Sequence, residues 1–282
     1  MLHITNKKIN RVSPYCKISF HIITCALLAA CATTGTDNDS APARPADVSN
    51  IPDAVPRDEP RSRYGNPSSY EVFGKRYYVM ESSKGYVERG IASWYGTKFH
   101  GKRTSSGETY DMYAMTAAHK TLPIPAYVQV TNLENRKSVV LRVNDRGPFH
   151  DNRIIDLSYT AAVKLGIVAK GTGLVEVRAI TSQENYAGAK IPDPLPRTVS
   201  TGQQGLPFYI QVGAFSELLN AENLRARISV IGADLVKINQ AAVAGKTLYR
   251  VRIGPLASVE NADQIVSKLA QIGIQDHQIV TD

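Results

Sequence analysis

The chain has 282 residues, 43% of them hydrophobic and 21% charged, with a formal net charge of +8; this is ordinary for a soluble globular protein with room for one large domain or two small ones plus linkers. Its three cysteines are Cys16, Cys25 and Cys31, which excludes a disulfide, a thiol nucleophile and a cysteine metal site from everything beyond position 31. The charge is uneven: residues 74–182 hold 16 Lys and Arg against 9 Asp and Glu, whereas residues 206–282 hold 7 of each. The basic segment suits bacterial cell wall, nucleic acid or acidic lipid as a partner, or is simply a solvated surface.

Lys7, Lys8, Arg11 and Lys17 lead into an apolar run from Ile18 to Ala30. The run is shorter than the roughly 20 residues of a membrane span and fits the core of a secretory signal. It ends Leu28-Ala29-Ala30-Cys31, which resembles a bacterial lipobox. The resemblance implies a lipoprotein signal peptide over 1–30 and a lipid (palmitate-type) anchor on Cys31. Because Ala32 and not Asp follows, it also implies sorting to the periplasmic face of the outer membrane. If that sorting inference fails, the protein is a lipoprotein of the cell membrane. Residues 31–69 then read as a disordered tether, with Pro42, Pro45, Pro52, Pro56, Pro60 and Pro67 and no apolar periodicity.

Order is expected from residue 70 to 182, with a core at 88–180. Val72 to Val79 suggests two short strands around Gly74. Strand-like runs follow at Gly90–Tyr95, Ala114–Ala117, Tyr127–Thr131, Ser138–Val143 and Leu174–Ile180, separated by Gly and Pro. One helix interrupts them, with Ser158 as N-cap and Gly166 as its end. Many short strands around one small helix predict a compact β-barrel. Val143-Asn144-Asp145-Arg146-Gly147-Pro148-Phe149 delivers a carboxylate to a strand end, where a Gly-Pro pair turns the chain. Thr104-Ser105-Ser106-Gly107-Glu108 and Ala118-His119-Lys120 are the polar stretches expected to meet it. Taken singly, the Asp145 stretch also reads as a structural turn and His119 as a packed core residue. Trp94 and Tyr95 are expected on opposite strand faces, one for the core and one for stacking on sugar rings.

Residues 183–205 read as a second linker, and 206–282 as a second domain. There, Gly213 to Leu224 aligns without gaps to Gly254 to Ile265, matching Asn220-Ala221-Glu222 to Asn261-Ala262-Asp263. Each copy follows a strand and opens a helix, with Ser216 and Ser258 as caps. The repeat predicts an α+β, βαββαβ ferredoxin-like (RNP-like) sheet with one open face. Zero net charge and the absence of an aromatic run in Leu248 to Ile253 argue against nucleic acid as its ligand. Alternation puts Tyr209, Gln211 and Gly213 on one face, with Gln211, Arg250 and Arg252 as candidate contacts. His100, His119 and His150 lack metal-ligand spacing, so no metal and no cofactor are expected.

Phe208 to Phe215 together with Tyr249 to Pro255 resembles the SPOR domain, which implies binding to peptidoglycan glycan strands that lack stem peptides, as found at the division septum. Gly90 to Gly96, Phe99-His100-Gly101, Thr104 to Glu108, Thr116 to Pro123, Val143 to Phe149 and Arg153 to Ser158 resemble the rare lipoprotein A family. These are septal lytic transglycosylases with a double-psi β-barrel and a C-terminal SPOR domain. The resemblance implies a six-stranded double-psi barrel and cleavage of naked glycan with release of 1,6-anhydro ends. It also implies Asp145 as acid/base, Glu108 and His119 as partners in the site, and division proteins as possible partners. The alternative is a non-catalytic, expansin-like glycan-binding scaffold. One carboxyl suffices for the lytic reaction, since the group that protonates the leaving oxygen can then take the proton of the sugar's C6 hydroxyl. Such an acid needs a raised pKa, for which Glu108 is the expected neighbouring anion.

Overall fold

The computed structural model describes residues 39–150, 152–182, 207–243 and 245–281. The expected signal peptide, Cys31 and the 183–205 linker lie outside the described residues. A hairpin comes first, β1 (Ser69–Val72) and β2 (Lys75–Tyr78). Its two turn residues, Phe73 and Gly74, have φ of 51° and 75°, the hand that matches strand twist.

Six further strands close a barrel: β3 (Val87–Tyr95), β4 (Thr116–His119), β5 (Ala126–Asn132), β6 (Ser138–Asp145), β7 (Arg153–Ser158) and β8 (Thr172–Ile180). Their order around the barrel is β3-β7-β4-β6-β5-β8. Val128, Val130, Leu141, Val143, Leu157, Val175 and Val177 fill the centre with no exposed surface. Helix α1 (Tyr159–Leu165) forms where expected. Ser158 accepts a hydrogen bond from Ala161 N, and Gly166 ends the helix at φ 74°. β7 is the strand that periodicity hides, because its register with β3 shifts between Arg153 and Ile155 and Ile154 is the extra residue.

Residues 39–69 correct the expected tether. They have almost no regular secondary structure, but they are not loose: they form a strap laid along the barrel. Gly96 N and Lys98 N donate to the Asp39 carboxylate at 2.8 and 3.0 Å. Val48 is buried against Tyr95, Tyr110 and Met112. Ala54 N donates to Val140 O at 3.0 Å, and Val140 N returns a bond to Asp53 at 2.8 Å. Asn66 bonds both backbone polar groups of Ile124 at 2.7 and 2.8 Å. Such anchors are single residues at irregular spacing, so no period announces them. The prolines help by restricting the unfolded chain, which lowers the entropy lost on ordering.

The C-terminal domain has the predicted element order: β9 (Phe208–Phe215), α2 (Leu218–Ile228), β10 (Val236–Val243), β11 (Lys246–Leu256), α3 (Val259–Gln271) and β12 (Gln278–Thr281). Its sheet runs β10-β11-β9-β12. Ser258 caps α3 through Asn261 N, but Glu217 and not Ser216 precedes α2, and it makes no capping bond. Helix α3 buries Val259, Ala262, Ile265, Val266 and Leu269. Ile91, Leu133 and Leu174 on the outside of the barrel join this core. Arg153 pairs with Asp263 at 2.8 Å, and Arg89 donates to Thr281 at 2.9 Å.

Candidate active site

Strand β6 carries Asp145 to the barrel end, and a bulge decides which way it faces. Thr116 pairs with Arg142 and Ala117 with Val143, but Ala118 pairs with Asp145, so Asn144 is the extra residue. Strict alternation would put Asp145 on the core side with Val143. The extra residue turns it outward beside Ala118, the side that Arg142 already occupies.

The loop from Thr104 to Glu108 closes over this strand end, and each of its residues has a part. Thr104 N donates to Glu108 O at 2.8 Å, and Gly107 N donates to Thr104 O at 2.9 Å. Gly107 has a φ of 91°, a conformation that favours glycine. Ser106 N donates to Asn144 O at 3.3 Å. Ser105 grips Asp145: its backbone N and its Oγ donate to Oδ1 at 2.8 and 2.7 Å, and Arg146 N adds a third bond at 2.7 Å.

Glu108 is not the bare anion expected beside Asp145. Arg142 Nη1 donates to both its oxygens at 2.9 Å, and Asn144 Nδ2 donates at 2.8 Å. Arg142 also pairs with Glu59 of the strap at 2.8 Å, and the Tyr127 hydroxyl donates to Glu59. The hydrogen bond from Arg142 holds the Glu59 carboxyl below its ordinary range. Arg146 turns away from Asp145, as neighbours on an extended chain do. Its guanidinium donates to the carbonyls of Gly65 at 2.8 Å and His119 at 3.1 Å.

His119 faces the opposite way from Ala118 and is 2% exposed. Its Nδ1 accepts from Thr121 N at 3.2 Å and Leu122 N at 3.0 Å, so a neutral ring carries its proton on Nε2. Nε2 meets the Tyr86 hydroxyl at 2.8 Å, and that hydroxyl donates to Glu88. Burial pushes the imidazole pKa down to about 3, with the nearby Arg146 and Lys120 charges acting the same way. Glu108, His119 and Asp145 thus make no hydrogen bond to one another. Glu108 shares the outward side with Asp145, and His119 supports the turn whose carbonyls hold Arg146.

Three site features escape a reading of the sequence. Arg142 sits in an apolar run, Glu59 in a segment read as disorder, and Asp156 in Ile154-Ile155-Asp156-Leu157. Ala118 is in register with Asp156 on one side and with Asp145 on the other, and Asp156 is in register with Ser93. A charge alternating with apolar residues was the available signal for Asp156. Its carboxyl accepts from Ser93 Oγ, and burial raises its pKa. Tyr95 stacks on Tyr110 with centroids 4.0 Å apart, and Trp94 packs edge-on against Tyr159 at 5.8 Å. Tyr95 is buried, whereas Trp94 is only half-buried.

In the C-terminal sheet, Gln211, Arg250 and Arg252 share the face opposite the helices. Arg252 Nε donates to Gln211 at 3.3 Å, and its guanidinium lies 6.0 Å from the Tyr209 ring centre. Gly213 departs from the expected alternation. A register shift in β9 pairs Val251 with Gly213 and Arg252 with Gln211, which turns Gly213 toward the helix, where a Cβ would come within 3.0 Å of Leu224.

Residues 87–178 match the family model described as lytic transglycolase, and residues 206–281 match that of the SPOR domain. The endolytic peptidoglycan transglycosylase RlpA of Pseudomonas aeruginosa (strain UCBPP-PA14) is 41% identical over 272 residues, which cover 80% of this chain and 79% of that protein. Its namesake in Vibrio cholerae is 40% identical over 269 residues, covering 94% and 97%. Among solved structures, the RlpA SPOR domain from Pseudomonas aeruginosa is 29% identical and covers 27% of this chain and 99% of that one, with a TM-score of 0.26.

Proposed function

Because the chain belongs to the RlpA family of endolytic peptidoglycan transglycosylases, we propose that it cleaves glycan strands of peptidoglycan between N-acetylmuramic acid and N-acetylglucosamine without water, leaving 1,6-anhydro ends. The observation that carries this reading is Asp145, held outward at a strand end with one carboxyl oxygen tied by three donors. In its simplest form Asp145 is the acid/base. It protonates the leaving oxygen, then accepts the proton of the C6 hydroxyl as O6 bonds to C1. Holding that hydroxyl on the same sugar makes the attack intramolecular, which favours ring closure over hydrolysis. Glu108 and His119 are positioning residues. Glu108 ties the loop that grips Asp145 to Arg142, and His119 organises the turn behind Arg146.

The substrate in this reading is glycan stripped of stem peptides, gripped by Gln211, Arg250 and Arg252 on the C-terminal sheet. Lipid on Cys31 anchors the protein to the periplasmic face of the outer membrane, and the C-terminal domain enriches it at the septum beside division proteins. The lipobox-like ending of the apolar run supports the anchor. Incubation with stripped and with peptide-bearing strands tests the enzyme reading. Anhydro ends are expected from the stripped strands and at least tenfold fewer from the others. Equal release rejects the specificity, and binding without any release leaves the expansin-like scaffold. For the anchor, fatty-acid labelling in cells is expected to disappear in Cys31→Ser.

A further inference from the structure

Asp156 lies in the same row across the sheet as Asp145. The two carboxyls stand on either side of Ala118 in one row that runs Ser93, Asp156, Ala118, Asp145 across β3, β7, β4 and β6. In-register neighbours project from the same side of a sheet, so both acids face outward, two strand spacings or roughly 10 Å apart at the backbone. Between them the floor is a methyl group. Above it passes Gly147, at φ 139°, where a Cβ would lie 3.8 Å from Ala118 Cβ and 3.7 Å from Asp156 Oδ2. The two acids are mounted alike. Oδ1 of Asp156 is held by Ser93 Oγ, and Oδ1 of Asp145 by Ser105 and Arg146 N.

We propose that the groove uses both carboxyls, with Asp156 carrying the mobile proton and Asp145 the fixed negative charge on the other side of the sugar. The proposal rests on the reading that Asp145 works in this groove, and it revises the division of labour from which that reading starts. Closing a 1,6-anhydro ring brings O6 to C1 on the face that the leaving oxygen vacates, so one proton carrier on that face serves both steps. The Asp156 proton passes to the glycosidic oxygen as its bond to C1 breaks. Positive charge on C1 and the ring oxygen is met by the Asp145 carboxylate. The C6 hydroxyl then returns a proton to Asp156 as the bond from O6 to C1 forms, which leaves both acids as they began and consumes no co-reactant.

The surroundings divide the two acids in the same sense. Three donors, two of them backbone N–H groups, converge on Asp145. Asp156 has a single hydroxyl partner, and burial raises its pKa, assisted by Asp39 and opposed by the Ser93 bond, Arg153 and Lys120. The Tyr95 hydroxyl feels both acids and stays neutral, since burial raises its pKa far above the ordinary value. Two carboxyls whose environments separate them is the usual basis for distinct proton and charge roles.

The test uses the full chain on peptide-stripped glycan, with anhydro ends counted from pH 4 to 9 and thermal unfolding measured on the same samples. Asp156→Asn is expected to lose about 10²–10⁴-fold while still unfolding cooperatively. Wild-type activity should fall as pH rises and Asp156 loses its proton. Ser93→Ala removes a bond that favours the ionised form, so that fall should move to higher pH by about half a unit or more. Asp156→Asn within threefold of wild type overturns the proposal and leaves the reading of Asp145 standing. An alkaline fall unmoved in Ser93→Ala also overturns it, even if Asp156→Asn is inactive or unfolded. Full activity in Asp145→Asn instead overturns the reading on which the proposal rests.

Discussion

The barrel end and the C-terminal sheet both present polar side chains on a β-surface, but they are furnished differently. The barrel end holds carboxylates, two of them fixed by several partners: Asp145 by Ser105 and Arg146, and Glu108 by Arg142 and Asn144. The four strands of the C-terminal sheet contain no Asp or Glu at all, and its candidate contacts are an amide and two guanidinium groups. A face without carboxyls can hold a polyhydroxylated chain through hydrogen bonds, but it has no acid to lend a proton. The difference assigns chemistry to one region and grip to the other.

The strongest way to break this comparison is to remove the central carboxylate. Asp145→Asn is expected to lower release of anhydro ends by at least about 10³-fold, in keeping with loss of a group at the reacting atoms. Retention on naked glycan should stay within twofold; a parallel loss of retention would mean that the barrel also supplies the grip. Next comes Glu108→Ala, which frees the gripping loop without touching Asp145. A misplacement of this kind can lose about 10²-fold, and kcat should fall with KM little changed.

His119 sharpens the comparison because its part is architectural. His119→Ala leaves Thr121 N and Leu122 N without their acceptor in a buried turn, a loss of about 1–3 kcal/mol. His119→Asn offers an oxygen near the place of Nδ1 and should recover much of the stability and activity. If Asn is as inactive as Ala in a folded protein, the imidazole has a chemical role. The depressed pKa also fixes a pH dependence. The unfolded chain binds a proton near pH 6.5 and the folded one only near 3, so stability is lost as pH falls between those values. Denaturant titrations of His119→Asn should show a shallower loss across that window.

The smallest effects lie at the edges of both regions. Glu59→Gln weakens the strap's hold on Arg142 and should slow cleavage by roughly three- to tenfold, read as kcat at saturating glycan. Arg250→Ala should weaken retention on naked glycan by about tenfold with kcat unchanged. A kcat effect there would blur the division between the regions.

What was legible in the sequence follows from which forces are periodic. The barrel strands, α1 with its Ser158 cap and Gly166 end, and the repeat that gives the C-terminal sheet all announce themselves through apolar spacing or a capping residue. The strap over 39–69 does not, because it is held by scattered anchors such as Asp39, Asp53 and Asn66. Bulges at Asn144 and Ile154 were equally silent, yet they set the directions of Asp145 and Asp156. Glu108 and Asp145 could be named from the residues and the family they resemble. That Arg142 occupies Glu108 is a fact of the third dimension, whereas a packed His119 was one of the two readings its residue type allowed.

The central claim is that a barrel-end carboxyl cuts glycan without water. The most direct measurement is mass spectrometry of the products of peptide-stripped strands cleaved in water labelled with heavy oxygen. The account predicts unlabelled 1,6-anhydro ends. Labelled reducing ends would contradict it and make the protein a hydrolase.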